Sequence, residues 1–284
     1  MRRLHSADDL RAWRDQASGT LGLVPTMGNL HGGHMALVEA ARTRCERVVV
    51  SVFVNPLQFA PGEDLDSYPR TLDADIEALE NAGIDAVFTP SVAQMYPHGG
   101  RSATTVHVRG ITDMLCGSRR PGHFEGVATV VTKLFNMVRP DLAFFGEKDF
   151  QQLAVIRRMV EDLCMGVQIL GVPTVREADG LALASRNQYL DSDQRRRAPM
   201  LAGALDDCRK SLQAGERDFA GLEARGWARL ADAGFEPDYF EIRGPALEAP
   251  QADMQAFRVL AAAFLGRARL LDNRAVPAAG HCLE

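Results

Sequence analysis

Leu21-Gly22-Leu23-Val24-Pro25-Thr26-Met27-Gly28-Asn29-Leu30-His31-Gly32-Gly33-His34 decides the fold. Its first five residues are apolar enough for a buried strand. The glycine-rich turn that follows runs into an amphipathic pattern from Met35 to Arg44, which predicts a helix. A strand, a tight turn and a helix start the βα unit of an open parallel sheet. In such sheets ligands bind outside the carboxyl ends of the strands. Gly28, Gly32 and Gly33 let backbone come close to a phosphate, and a helix N-terminus offers unpaired N–H groups and a positive dipole end. His31 and His34, three residues apart, share a face if the helix has begun by then. Two imidazoles there suit phosphate binding and the stabilisation of charge developing on phosphoryl oxygens.

Outward from this unit the alternation continues. Val48 to Val54 reads as a buried strand, broken by Asn55-Pro56. Thr71 to Asn81 reads as a helix, Asp85 to Phe88 as a short strand, and Thr104 to Val108 as another by its alternation. Gly126 to Val138 and Phe150 to Cys164 have helical spacing, with strands at Asp141 to Phe145 and Val167 to Val172. Ser6 caps a helix over residues 7–17. Together these predict a Rossmann-like α/β domain over residues 1–174. Beyond it, helices near 193–213 and 218–233 precede strands near 238–243, 257–265 and 268–272. No helix separates the last strands, so an antiparallel sheet is expected, in a smaller α+β domain over 175–284.

Composition narrows the function. With 32 basic and 37 acidic residues the net charge is −5, and no basic stripe for nucleic acid is visible. Arg195-Arg196-Arg197 reads as a solvated helix face. No signal peptide or membrane-length apolar run is present, so a cytoplasmic protein is expected. Cys45, Cys116, Cys164, Cys208 and Cys282 are odd in number and lack C-x-x-C spacing, which argues for free thiols without a metal knuckle.

Four further segments carry chemistry. Gly146-Glu147-Lys148-Asp149-Phe150-Gln151-Gln152 lies at a strand-to-helix junction, where Lys148 is a mobile positive charge for phosphate. Asp149 and Gln152 also fit a capping box, so a structural role stands beside a binding one. Asp179 to Asn187 contains the hydroxyl–guanidinium pair Ser185 and Arg186, suited to phosphate oxygens. Gln58 and Phe59 offer an amide and an apolar wall to a hydroxy acid, and Arg120 and His123 make a cationic loop.

The first motif lacks the P-loop arrangement and resembles the H-x-G-H signature of nucleotidylyl transferases and class I aminoacyl-tRNA synthetases. The ordered strings PTMGNLHGGH, VSVFVNPLQF, RPGHFEGV, FGEKDFQQL and DGLALASRN resemble the pantoate–β-alanine ligase family. The resemblance covers essentially the whole chain and is densest from about 20 to 190; beyond that, Gly215 to Asp218 and Leu270 to Asn273 remain similar.

The resemblance implies ATP-dependent condensation of pantoate with β-alanine through pantoyl-adenylate, giving pantothenate, AMP and pyrophosphate. It implies that Met27, Gly28, Asn29, Leu30, His31, Gly32, Gly33 and His34 bind ATP, with His34 the proton donor and His31 its phosphate-binding companion. It adds Gly146, Glu147, Lys148, Asp149, Val175, Leu183, Ala184, Ser185 and Arg186 to the ATP-binding set. His34, His31, Lys148 and Arg186 become the catalytic residues. Gln58 and Gln152 hold the acid, with Arg120 and His123 nearby. Magnesium rides on the ATP phosphates, with Asp75 a candidate ligand, and no tightly bound organic cofactor is implied. A homodimer is implied, with no nucleic-acid or membrane partner. Ala184 stands where the family often has a serine, so only a backbone contact is expected there.

Overall fold

The computed structural model describes residues 1–99 and 104–278, which leaves Cys282 outside the described residues. The chain divides into two compact units. The first comprises Met1–Glu147 and Gln151–Pro173; the second comprises Lys148–Phe150 and the chain from Thr174 onward.

In the first unit, strands β1 (Arg2–Leu4), β2 (Leu21–Thr26), β3 (Arg47–Val52), β4 (Ala86–Phe88), β5 (Leu142–Gly146) and β6 (Gln168–Val172) form one sheet in the order β1-β4-β3-β2-β5-β6. All pairings are parallel. The core strands carry few polar residues because both faces are buried. Helices α1 (Ala7–Gln16), α2 (Gly32–Arg44), α3 (Leu72–Asn81), α4 (Val92–Met95), α5 (Cys116–Arg119), α6 (His123–Val138) and α7 (Phe150–Asp162) occupy the connections. Ser6 caps α1 as expected, in a box with Asp9.

The chain winds one way from β2 through β3 to β4, then resumes with β5 on the other side of β2. β2 and β3 pair along six residues, but β2 and β5 pair only at Gly22–Leu142 and Leu23–Ala143. The ladder therefore stops short of the carboxyl ends at the point where the winding reverses, which is where an open α/β sheet forms a ligand crevice.

The second unit contains helices α8 (Ser192–Arg197), α9 (Met200–Gln213) and α10 (Phe219–Asp232), and the antiparallel sheet β7 (Glu236–Arg243), β8 (Phe257–Leu265) and β9 (Ala268–Val276). Leu201, Leu205 and Leu212 of α9 and Leu222 and Leu230 of α10 share one apolar cluster with Val259, Ala261 and Leu270.

Two expectations need correction. Thr104–Val108 is not a strand; the Val106 N–H is given to the Thr129 hydroxyl instead of a ladder partner, at 2.9 Å. The helix expected over 193–213 is two helices, because Pro199 has no N–H with which to continue the first. Arg195, Arg196 and Arg197 are ion-paired to Asp179 and Asp193 on a largely exposed helix face.

Candidate active site

The turn after β2 is held from three directions. Thr26 donates its hydroxyl to Ser51 O at 2.8 Å and accepts from the Gly28 N–H at 3.2 Å. Gly28 has φ +84°, and a Cβ there would lie 2.9 Å from an Asp75 oxygen, so glycine is required twice over. Asp75, 3% exposed on α3, accepts from the Asn29 N–H at 2.9 Å and the Leu30 N–H at 2.8 Å, one on each oxygen, with Thr71 at 3.2 Å. Sequence reading offered Asp75 as a magnesium ligand. In the structure its carboxylate oxygens accept from backbone amides.

Helix α2 starts at Gly32, three residues before the apolar periodicity begins, because His31 is its N-cap. The His31 Nδ1 accepts from the Gly33 N–H at 3.1 Å, and the His34 Nδ1 accepts from the His31 N–H at 3.3 Å. This is a capping box built from imidazoles in place of the usual hydroxyl and carboxylate. Because both Nδ1 atoms accept, each neutral ring carries its proton on Nε2. The ring centroids are 4.1 Å apart. The pair therefore stands at the positive end of a thirteen-residue helix, beside the crevice.

Gln58 sits in a short 3-10 turn after β3, fixed on both sides. Its Oε1 accepts from Asn55 Nδ2 at 3.1 Å, and its Nε2 points to the Met27 sulfur at 3.0 Å. Buried Asn55 also donates to Gly126 O at 3.1 Å and accepts from the Tyr96 hydroxyl at 2.7 Å. Burial pushes the Tyr96 phenol up, so it stays a donor. A Cβ on Gly126 would lie 2.4 Å from Leu57 O, so α6 can approach this turn only through glycine.

Arg120 and His123 support the same turn. His123 Nδ1 donates to Gln58 O at 2.8 Å, and its Nε2 accepts from Arg120 at 3.1 Å. Arg120 grips both oxygens of Glu63 at 2.7 and 2.6 Å and reaches Gln58 O at 3.3 Å. Burial pushes the Glu63 carboxyl up, but the Arg120 hydrogen bonds and charge outweigh it and hold the group below its ordinary value. The guanidinium expected to meet a substrate anion has a protein carboxylate as its partner here.

After β5, the chain enters α7 through a 3-10 turn at Glu147–Asp149. The holding role falls to Gln151, which is buried. It donates to Ile111 O and Met114 O at 2.9 and 2.8 Å and accepts from the Cys116 N–H at 3.0 Å. Gln152 is half-buried, and among the described residues its side chain makes no hydrogen bond to protein.

In the second unit, Lys148 has a side chain 19% exposed, 3.7 Å from Asp149. Val175 and Leu183 pair across a hairpin, with the Leu183 N–H donating to Val175 O at 3.0 Å. Ala184 adopts an extended conformation (φ −153°) and precedes a 3-10 turn, Ser185–Tyr189. It makes no side-chain cap; its carbonyl accepts from the Asn187 N–H at 3.0 Å.

Sequence reading named candidate ligand-binding groups but not the holding roles of Asp75, Asn55, Tyr96, Glu63, Gly126 and Gln151. The signals of Asn55, in an Asn-Pro turn, and Gly126, inside a helical pattern, were present in the sequence. Among the described residues no cluster of three or more His, Cys, Asp or Glu could hold a metal ion, and no helix is long and apolar enough to cross a membrane.

The family model for pantoate-β-alanine ligase matches residues 2–275. The pantothenate synthetase of Azotobacter vinelandii is 57% identical over 278 residues, covering 96% of this chain and 98% of that one. That of Pseudomonas aeruginosa is 58% identical over 258 residues, covering 90% and 91%. Among solved structures, pantothenate synthetase from Thermus thermophilus superposes with a TM-score of 0.91 at 48% identity, covering 98% of this chain and 100% of that one. A Francisella tularensis pantoate-β-alanine ligase, crystallised with β-γ ATP and β-alanine, gives 0.80 at 31% identity, covering 96% and 97%. With its fold and nearly its whole length matched, this chain belongs to the pantoate–β-alanine ligase family of C–N bond-forming enzymes.

Proposed function

We propose that the chain makes pantothenate in two steps. The pantoate carboxylate attacks the α-phosphorus of ATP, forming pantoyl-adenylate and expelling pyrophosphate. The amine of β-alanine then attacks the acyl carbon, forming the amide and releasing AMP. A carboxylate is a poor acylating agent until a phosphoryl group makes one of its oxygens a leaving group, so no protein nucleophile is needed. Proximity and in-line alignment of two bound substrates can supply much of the acceleration.

One observation carries this reading: paired imidazoles whose Nδ1 atoms accept backbone N–H groups, at the N-terminus of α2 beside the β2–β5 divergence. Donors fixed there suit the charge that moves onto the departing pyrophosphate. His34 acts as proton donor, and His31 binds phosphate. Met27 to Leu30, Gly32 and Gly33 give the nucleotide a backbone surface. Gln58 and Gln152 bind pantoate, with Gln58 also touching β-alanine. Arg120 and His123 act on the acid through the Gln58 turn.

The same reading assigns Gly146, Glu147, Lys148, Asp149, Val175, Leu183, the Ala184 backbone, Ser185 and Arg186 to ATP. Magnesium belongs to the nucleotide substrate. A cytoplasmic homodimer is part of the proposal.

Isotope exchange between pyrophosphate and ATP tests it. Exchange should require pantoate and proceed without β-alanine, while AMP release should require both. Exchange independent of pantoate, or a stable AMP conjugate as the product, would overturn the reading. The latter outcome would indicate a nucleotidyl transferase with another acceptor.

A further inference from the structure

One dipeptide of β9 touches both ATP-assigned segments of the second unit. Asp272 has a side chain 1% exposed, and both of its oxygens face the Arg176 fork, at 2.7 and 2.9 Å. Arg176 also donates to Gly180 O at 3.0 Å, at the tip of the hairpin that leads to Ser185 and Arg186. Arg274 adds a second cation to Asp272 at 3.0 Å, and the Asn273 N–H donates to it at 2.7 Å.

Asn273, the next residue, donates its amide to Lys148 O at 2.9 Å and accepts from Arg258 at 2.7 Å. The Arg258 guanidinium lies over the Phe150 ring, 3.7 Å from its centroid. Adjacent residues of a strand point to opposite faces. Asp272 and Asn273 can therefore serve separate segments, the 175–186 hairpin and Lys148–Phe150.

We propose that Asp272 and Asn273 are positioning residues for ATP: Asp272 sets the hairpin bearing Ser185 and Arg186, and Asn273 sets the backbone of Lys148. Neither needs to touch nucleotide. Buried ion pairs with planar, bidentate geometry fix orientation better than they add stability, because desolvation offsets most of the attraction. The function of the pair is thus geometric, and the proposal rests on the assignment of Lys148, Ser185 and Arg186 to ATP.

Three substitutions test it. Asp272→Asn removes the charge but keeps the shape. Asn273→Asp keeps an acceptor for Arg258 and sets an oxygen against Lys148 O. Arg176→Lys keeps the charge and loses the fork. Asp238→Asn is the control: it breaks a comparably buried pair with Arg269 in the same small sheet, at 2.6 Å.

The expected result is a KM for ATP raised about tenfold or more in the three variants, with the KM for pantoate within about twofold of wild type. The control should lose melting temperature and keep its KM for ATP. Wild-type KM for ATP in the three variants, with only the melting temperature lowered, overturns the proposal. If Asp272→Asn does not fold, Arg176→Lys, at a half-buried position, decides for the hairpin. Calorimetric ATP affinity of the same proteins separates the two inferences. Lost affinity upholds this proposal even if wild type shows no pantoate-dependent exchange, an outcome that would sink only the assigned reaction.

Discussion

The turn over residues 27–34 and the hairpin over residues 175–186 are both assigned to the same nucleotide, yet they are held by opposite means. The turn is fixed by hydrogen bonds to its own backbone N–H groups: Thr26 to Gly28, Asp75 to Asn29 and Leu30, and the two imidazoles to Gly33 and His31. The hairpin is fixed by ion pairs at its base, Arg176 to Asp272 and, behind it, Arg274 to Asp206. The first arrangement saturates backbone donors that would otherwise be stranded at a buried bend. The second orients a segment whose own backbone is already paired across the hairpin, through Val175 and Leu183. In the turn, the histidines that hold are also the residues proposed to work. In the hairpin, they are separate.

The largest effect should come from His34→Ala, which removes the proposed proton donor and the N3 half of the α2 capping box together. Loss of one preorganised donor at a developing charge lowers kcat by roughly 10²–10³-fold. Loss of the cap costs about 1 kcal/mol of stability. Pyrophosphate exchange should therefore collapse while the far-ultraviolet dichroism is kept and the melting temperature drops slightly. A variant that unfolds at room temperature would mean that the imidazole mainly holds.

Next is Asp75→Ala. It strips two charge-assisted bonds from the Asn29 and Leu30 amides, at about 1.5–3 kcal/mol each before relaxation. Stability and exchange should fall together, in contrast to Asp272→Asn, where ATP affinity should fall first. If Asp75→Ala lowers activity with an unchanged denaturation midpoint, Asp75 acts on a ligand rather than on the backbone.

The two glutamines of α7 sharpen the contrast between neighbours in the chain. Gln151→Ala abandons two carbonyls and an amide and should cost about 2–3 kcal/mol. Gln152→Ala breaks no bond to protein and should leave the melting temperature within about a degree of wild type. Its KM for pantoate should rise about tenfold, as for the loss of a substrate hydrogen bond. Measuring both quantities in both variants distinguishes the roles; a stability loss in Gln152→Ala would revive the capping explanation.

How far the sequence could be read follows from the range of the interactions. Apolar runs revealed β2, β3 and β5, because a strand buried on both faces writes its burial into consecutive residues, and the half-buried edge strand β6 was legible from its apolar content alone. Three-residue β1 gave no such signal, and Thr104–Val108 imitated it without a partner strand. In the site, Gly28, His31 and His34 were visible because turn and cap chemistry acts over two or three residues. Asp75 acts on a backbone 45 and 46 residues away, and Asp272 on a side chain 96 away. One chain carries no local mark of such pairings. His31 lay between these cases: its position was legible, but an imidazole as N-cap departs from the hydroxyl or carboxylate that signals one.

The smallest effect tests the ionic half of the comparison. Asp206 faces Arg274 at 2.9 Å and Arg209 at 3.1 Å. Burial pushes its carboxyl up, but the Arg274 hydrogen bond and the charges of Arg274 and Arg209 outweigh it and hold the group below its ordinary value. An acid with a depressed folded value adds stability that is complete above its unfolded value of about 3.9 and fades as pH falls through the folded one. Because the side chain is about a third exposed, solvent screens the pair, and its contribution should stay below about 1 kcal/mol. Asp206→Asn should therefore lower the melting temperature slightly at pH 7, and the difference from wild type should shrink as the pH drops below about 4. A gap that stays constant from pH 7 to pH 3 would mean that Asp206 holds Arg274 by shape rather than charge, and the distinction between an ion-paired hairpin and a hydrogen-bonded turn would weaken accordingly.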